Sequence, residues 1–149
     1  MGKHNLSAFV DSGVFFGAYS EKDEYHDQAV NLLEKALQGE YGAVYTSDYI
    51  FDETVTLARV RAKSLKTALL VGESILGSRI RLLQVNGDIF DKAWNIFKQY
   101  EDKNFSFTDC TSIALIRELQ IDTMLSFDDR FDGIVSRVKW CQENEWWRP

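Results

Sequence analysis

The sequence predicts an α/β fold, a three-layer α/β/α sandwich built on a mostly parallel sheet of about five strands. The first observation behind this is an alternation of short, strand-like apolar runs with segments of helical periodicity, the pattern that places helices on both faces of a parallel sheet. The second is continuity: the only proline is Pro149, and no Gly/Ser-rich linker, low-complexity tract or internal repeat interrupts the chain, so residues 1–149 read as a single domain. The third is composition, with 45% hydrophobic and 27% charged residues, which is ordinary for a globular chain. At this length roughly two thirds of the unfolded surface can be buried.

Taken in order, residues 6–10 read as the first strand and lead into Asp11. Residues 24–37 carry apolar side chains at Tyr25, Ala29, Leu32, Leu33, Ala36 and Leu37, a helical spacing, with Gly39 as the stop. Residues 43–46 are the second strand, after which Ser47 and Asp48 offer N-caps to a helix reaching about Lys63. Another helix covers about residues 64–76 and closes at Gly77. Residues 80–85 form the third strand, and residues 88–101 a helix with Ile89, Ala93, Ile96, Phe97 and Tyr100 inward. A helix over 108–119, a strand over 123–127 and a candidate fifth strand over 134–140 complete the pattern.

Several function classes are disfavoured at once. No apolar run approaches the ~20 residues of a membrane helix. The opening residues Met1 to Leu6 run straight into a strand, so no secretory signal is expected. Cys110 and Cys141 do not form a CxxC pair, which suits a reducing cytoplasm better than a disulfide framework. With His4 and His26 as the only histidines, any metal would be held by oxygen. The net charge of −6 argues against a general nucleic-acid binder. Yet residues 54–83 hold Arg59, Arg61, Lys63, Lys66, Arg79 and Arg81 against Glu73 alone, a local +5 that leaves −11 elsewhere. Arg59, Lys63 and Lys66 are candidate phosphate contacts, in a strip that also holds Arg61; a solvated helical face is the competing reading.

In an open parallel sheet, chemistry collects in the crevice at the carboxyl ends of the strands. Asp11 and Asp128 follow strands at that edge. Asp109 opens the helix after Phe105-Ser106-Phe107, and Glu53 lies just over one turn into the helix after the second strand. Four acids from separate parts of the chain are therefore expected to converge. Helical spacing puts Glu53 on the stripe of Tyr49, Leu57 and Val60, whereas Asp52 shares a polar face with Asp48, Thr56, Arg59 and Lys63. An acid on an apolar stripe is costly unless paired or metal-bound, which makes Glu53 and not Asp52 the candidate. Clustered carboxylates repel one another until a cation neutralises them, and hard ions such as Mg²⁺ or Mn²⁺ suit an all-oxygen site. Each acid also has a purely structural reading. Asp11 caps a helix or turn at Ser12-Gly13, Asp109 favours a helix N-terminus, Asp128 with Asp129 starts a turn, and Glu53 pairs with an arginine.

Four stretches resemble the motifs of the PIN-domain ribonucleases, a family that includes the VapC-type toxins of toxin–antitoxin pairs. They are Phe9-Val10-Asp11-Ser12-Gly13-Val14-Phe15, then Thr46 to Glu53, then Phe105-Ser106-Phe107-Thr108-Asp109-Cys110, and Leu125-Ser126-Phe127-Asp128-Asp129-Arg130-Phe131. Order, spacing and context agree across nearly the whole chain. The resemblance implies a five-stranded parallel sheet and Mg²⁺- or Mn²⁺-dependent cleavage of single-stranded RNA, with Asp11, Glu53, Asp109 and Asp128 as catalytic metal ligands. It implies a homodimer and, for the toxin branch, a small inhibitory antitoxin. Ser12 and Thr108 would assist through their hydroxyls, and Asp129 stands beside Asp128 as a candidate to share its role.

Two rival functions compete. One is a PIN-like module that binds RNA or protein without cleaving it. The other is a phospho-accepting signalling domain, which needs paired early aspartates and a late-strand lysine; Lys139 matches poorly and no acid precedes Asp11. In the tail, Trp140 is expected to complete the core, and Trp146 with Trp147 to pack over an edge or anchor an interface.

Overall fold

The structure, a computed structural model, describes residues 5–138. Its sheet consists of β1 (Ser7–Val10), β2 (Ala43–Ser47), β3 (Arg81–Leu83), β4 (Thr123–Leu125) and β5 (Arg137–Val138), all parallel, in the spatial order β3-β2-β1-β4-β5. Flanking it are α1 (Ser12–Tyr19), α2 (His26–Leu37), α3 (Asp48–Val60), α4 (Leu65–Leu76), α5 (Gly87–Gln99) and α6 (Phe107–Leu119). This is the expected α/β sandwich. Ala8, Phe9 and Val10 are all buried, as befits a central strand covered on both faces. Gly42 sets the entry to β2: its φ is +79°, and a Cβ there would lie 2.0 Å from the Leu6 carbonyl oxygen. Glycine alone lets the chain turn so closely that Ala43 N–H bonds Leu6 O at 3.1 Å, which starts the β1–β2 register.

The chain order also fixes where a site can lie. From β1 it runs outward through β2 to β3, then returns to the other side of β1 for β4 and β5. The strand order therefore reverses at β1, and a crevice opens at the carboxyl ends of β1 and β4. Asp11 N–H bonds the Leu125 carbonyl at 3.0 Å, so the chain segments leaving these two strands begin side by side.

Several expected boundaries shift. Residues 12–19 form a helix, α1, where the sequence showed only a cap followed by a helix or turn. Its residues Val14, Phe15, Phe16 and Gly17 are all buried, so no polar face marks its period. Helix α2 begins at His26, which leaves Tyr25 outside the core, exposed and stacked on Phe127 with ring centroids 4.7 Å apart. Phe97 of α5 is likewise exposed. Helix α3 stops at Val60, which is exposed and not part of an inward stripe, and Lys63 adopts a left-handed φ of 53° in the turn to α4. That turn lets α4 fold back on α3, where Gly72 approaches closely: a Cβ on it would meet Val55 Cγ1 at 3.3 Å. Lys63 therefore does not lie on the helix that carries Glu53. The end of the expected fifth strand, Lys139, Cys141 and the tail with Trp140, Trp146 and Trp147 lie outside the described residues.

Candidate active site

Asp11, Glu53, Asp109 and Asp128 all line one cleft of about 840 Å³ at the carboxyl edge of the sheet. Each is brought there by local structure. Asp11 is the N-cap of α1; its Oδ1 accepts from Ser12 N–H at 2.9 Å and its Oδ2 from the buried Ser126 hydroxyl at 2.7 Å. Glu53, half-buried on α3, accepts a short hydrogen bond from the Ser12 hydroxyl. Asp109 closes a capping box at the start of α6: its N–H donates to Ser106 Oγ at 3.0 Å and its Oδ2 accepts from Ser106 N–H at 2.9 Å. Asp128 caps a single 3₁₀ turn, Asp129–Phe131, and its N–H donates to Ser126 Oγ at 3.0 Å. The capping readings of Asp11, Asp109 and Asp128 are thus all realised, and the same caps aim the three carboxylates into the cleft. Glu53 is held by a serine, and the acids paired with an arginine are Asp128 and, at 3.5 Å, Asp109, both with Arg130.

The electrostatics are those of a site short of cations. Six carboxylates line the cleft, with Asp23 and Glu24 joining the four, against the guanidiniums of Arg61 and Arg130. Burial drives the Asp11 pKa up to about 7, and the charges of Asp109 and Glu53 add to the rise while the Ser126 hydrogen bond opposes it. Burial also raises Asp109, against the Ser106 bonds and Arg130. For Asp128 burial is outweighed by hydrogen bonds from Arg130, which hold its carboxyl below the usual range. Among the described residues no three acidic, histidine or cysteine side chains are arranged round one point as a metal shell, for Glu53 is turned to Ser12 and Asp128 to Arg130. The donor set nevertheless fits a hard divalent ion: it is all oxygen, and its most buried member bears the cost of burial and, added to it, of unneutralised like charge.

Other expected residues fall differently. Ser12 meets an acid directly. Thr108 does not line the cleft; its carbonyl accepts from the Thr111 hydroxyl at 2.6 Å, and the Asp109 carboxylate is held by the backbone N–H of Ser106, whose own hydroxyl accepts from Asp109 N–H. Asp129 is exposed and outside the cleft lining, so it is not placed to share the role of Asp128. Asp52 is exposed, as its register required. Arg59 borders an apolar groove between α3 and α4, Lys66 is exposed on α4, and Lys63 lines a neighbouring hollow. The cation of that stretch that reaches the cleft is Arg61. Arg61 belongs to the basic strip the sequence singled out, whereas sequence reasoning passed over Ser126 and Arg130, although both stand inside the fourth motif. It also passed over Arg137, a buried guanidinium that clamps Asp132 at 2.7 Å and the Ser126 carbonyl at 3.1 Å, fixing the loop that carries Asp128.

The PIN domain pattern matches residues 8–135, a span that contains all four acids. A VapC ribonuclease of Archaeoglobus fulgidus is 31% identical over 142 residues, covering 94% of this chain and 89% of that protein. The 23S rRNA-specific endonuclease VapC20 of Mycobacterium tuberculosis is 27% identical over 125 residues, covering 84% of this chain and 92% of its own. The crystal structure of Mycobacterium tuberculosis VapC20, described as a sarcin-ricin loop cleaving toxin, matches with a TM-score of 0.73 and 25% identity across 85% of this chain and 92% of that one. A sheet order that opens a crevice at β1, four acids converging there and this extent of sequence likeness lead to one assignment: the chain belongs to the PIN-domain family, among the VapC ribonucleases.

Proposed function

We propose that this chain is an endoribonuclease that cleaves phosphodiester bonds of single-stranded RNA with bound Mg²⁺ or Mn²⁺, acting as the toxin of a toxin–antitoxin pair. The observation that carries the reading is the convergence of Asp11, Glu53, Asp109 and Asp128 on a cleft whose carboxylates outnumber its cations. Such a cleft repels an anionic strand unless divalent charge is added. Asp11, Glu53, Asp109 and Asp128 would hold the ion, which supplies charge neutralisation at the phosphodiester and a more acidic water.

The chain's own residues do the positioning. Ser126 donates to Asp11 and so keeps one of its oxygens oriented; Ser12 does the same for Glu53. Second contacts of this kind matter because a ligand carboxylate held in one orientation loses less entropy on binding. Tyr25, Phe127, Phe97 and Phe107 supply flat apolar walls beside the acids, suited to the faces of unpaired bases. An antitoxin is supported by the groove of about 500 Å³ between α3 and α4, rimmed by exposed Val60, Leu65, Leu69 and Leu76, a surface fitted to an apolar helix of a partner. A cytoplasmic homodimer belongs to this reading through the family resemblance alone. No helix among the described residues is long and apolar enough to cross a membrane. Incubating the protein with a mixed RNA pool across a Mn²⁺ titration tests the reading. Cleavage that appears with metal and stops with chelator is expected; RNA binding without cleavage at any metal concentration would favour a silent binding module.

A further inference from the structure

The guanidinium of Arg130 stands where a cation belongs. The 3₁₀ turn after Asp128 folds it back so that Nε lies 3.0 and 3.1 Å from the two oxygens of Asp128, while Nη2 lies 2.5 Å from Asp128 Oδ2 and 3.5 Å from Asp109 Oδ2. Both oxygens of Asp128 are engaged by the guanidinium, and Oδ1 also accepts from Arg130 N–H at 3.0 Å, so a metal approaching Asp128 competes with these contacts. The other anchors of Arg130 do not involve the acids: Nη1 donates to the Asn104 carbonyl at 2.6 Å, and the guanidinium lies 5.7 Å from the centre of the Phe105 ring. Its side chain is 39% exposed, so it can leave Asp128 without unfolding its surroundings and still remain in the cleft it lines. A planar guanidinium fork matches the oxygens of a phosphate as well as those of a carboxylate. Of the six acids and two cations lining the cleft, Arg130 is the cation already among the acids.

We propose that Arg130 is the resident counter-cation of the cleft: a divalent ion loads by displacing its guanidinium from Asp128, and the freed guanidinium then holds a phosphate of the bound RNA strand. This rests on the nuclease reading above. It makes two predictions of opposite sign for Arg130→Gln, measured with Mn²⁺ alone by calorimetry and then with a non-cleavable 2′-O-methyl RNA oligomer at saturating Mn²⁺. Mn²⁺ should bind about five- to tenfold tighter, the gain expected from removing a competing, partly exposed ion pair. The oligomer should bind about fivefold weaker, the scale of one lost charged contact. Arg130→Lys, which keeps the charge and loses the fork, should fall between wild type and Arg130→Gln in both measurements. A merely structural role would weaken both affinities together. Mn²⁺ affinity unchanged or weaker in both variants overturns displacement, and tighter Mn²⁺ with unaltered oligomer affinity overturns the phosphate role. Should Arg130→Gln fail to fold, the wild-type Nε–H resonance of Arg130 decides: it should move as Mg²⁺ is added, and a resonance unmoved at saturating Mg²⁺ contradicts the proposal. A wild-type protein that binds no divalent ion would instead bring down the nuclease reading itself.

Discussion

Asp11 carries the largest share of this site's electrostatic cost, ahead of Asp109. Its folded pKa of about 7 lies above the ordinary 3.8, so below about pH 4 it is protonated whether the chain is folded or not. As pH rises from there the unfolded chain ionises first, and folding loses stability until about pH 7, where the penalty is complete. Asp11→Asn should therefore stabilise the metal-free protein at pH 8 by roughly 2–4 kcal/mol, with the advantage vanishing near pH 4. Paired thermal melts at the two pH values check this, and equal melting temperatures at pH 8 would mean that Asp11 is not strained. On α3, Glu53→Gln should abolish activity and Asp52→Asn leave it nearly intact, because side chains one residue apart point about 100° apart on a helix. Comparable losses in a cleavage assay would contradict the observed register. Ser126→Ala should weaken metal binding by about tenfold or more, since it frees an oxygen of Asp11 to wander. The acids were legible because each residue type and place had a chemical reason visible locally. Ser126 was not, because its bond to Asp11 joins positions 115 apart in sequence. Arg130 escaped notice because its pairing depends on a tight turn that brings a residue two places on back over Asp128.

Elements were legible in proportion to how polar their outer faces are. The helices α2 and α5 bury Ala29, Leu32, Leu33 and Ala36, and Ile89, Ala93 and Ile96, respectively, with polar residues between, so their period shows. Helix α1 gives no such signal because it is buried on most sides, and the central helix α6, buried from Asp109 to Ile116, was found from its cap and not from a stripe. The end of α3 was misjudged for a different reason. Charged residues continue past Val60 as if the helix went on, while the break is made by the return of α4 and the left-handed Lys63. That break decides which cations can meet RNA. Arg61, after the helix, lines the cleft, whereas Arg59 faces the α3–α4 groove. Arg61→Gln should weaken RNA binding and lower the logarithmic salt slope by roughly 0.7, the value for one phosphate contact on a single strand, and Arg59→Gln should do neither. A salt titration in which Arg59→Gln flattens the slope as much as Arg61→Gln would return the phosphate path to the helix.

Over the whole molecule, the proposed function asks an acidic chain of net charge −6 to bind a polyanion, and the fold concentrates its need for cations in one place. Parallel strands reversing order at β1 open the crevice, and caps that any helix would use turn their carboxylates into it. On the proposed reading the cleft is electrostatically closed to RNA until divalent charge enters. Metal loading and cleavage should consequently rise together. The most direct measurement is a single Mn²⁺ titration in which metal occupancy and the initial rate of cleavage of a labelled single-stranded RNA are followed side by side, for wild type and Asp11→Asn. Wild-type cleavage should be absent in excess chelator and saturate with occupancy, and Asp11→Asn should show neither tight binding nor cleavage. Cleavage that persists in excess chelator, or an Asp11→Asn protein that cuts at the wild-type rate, would contradict the account.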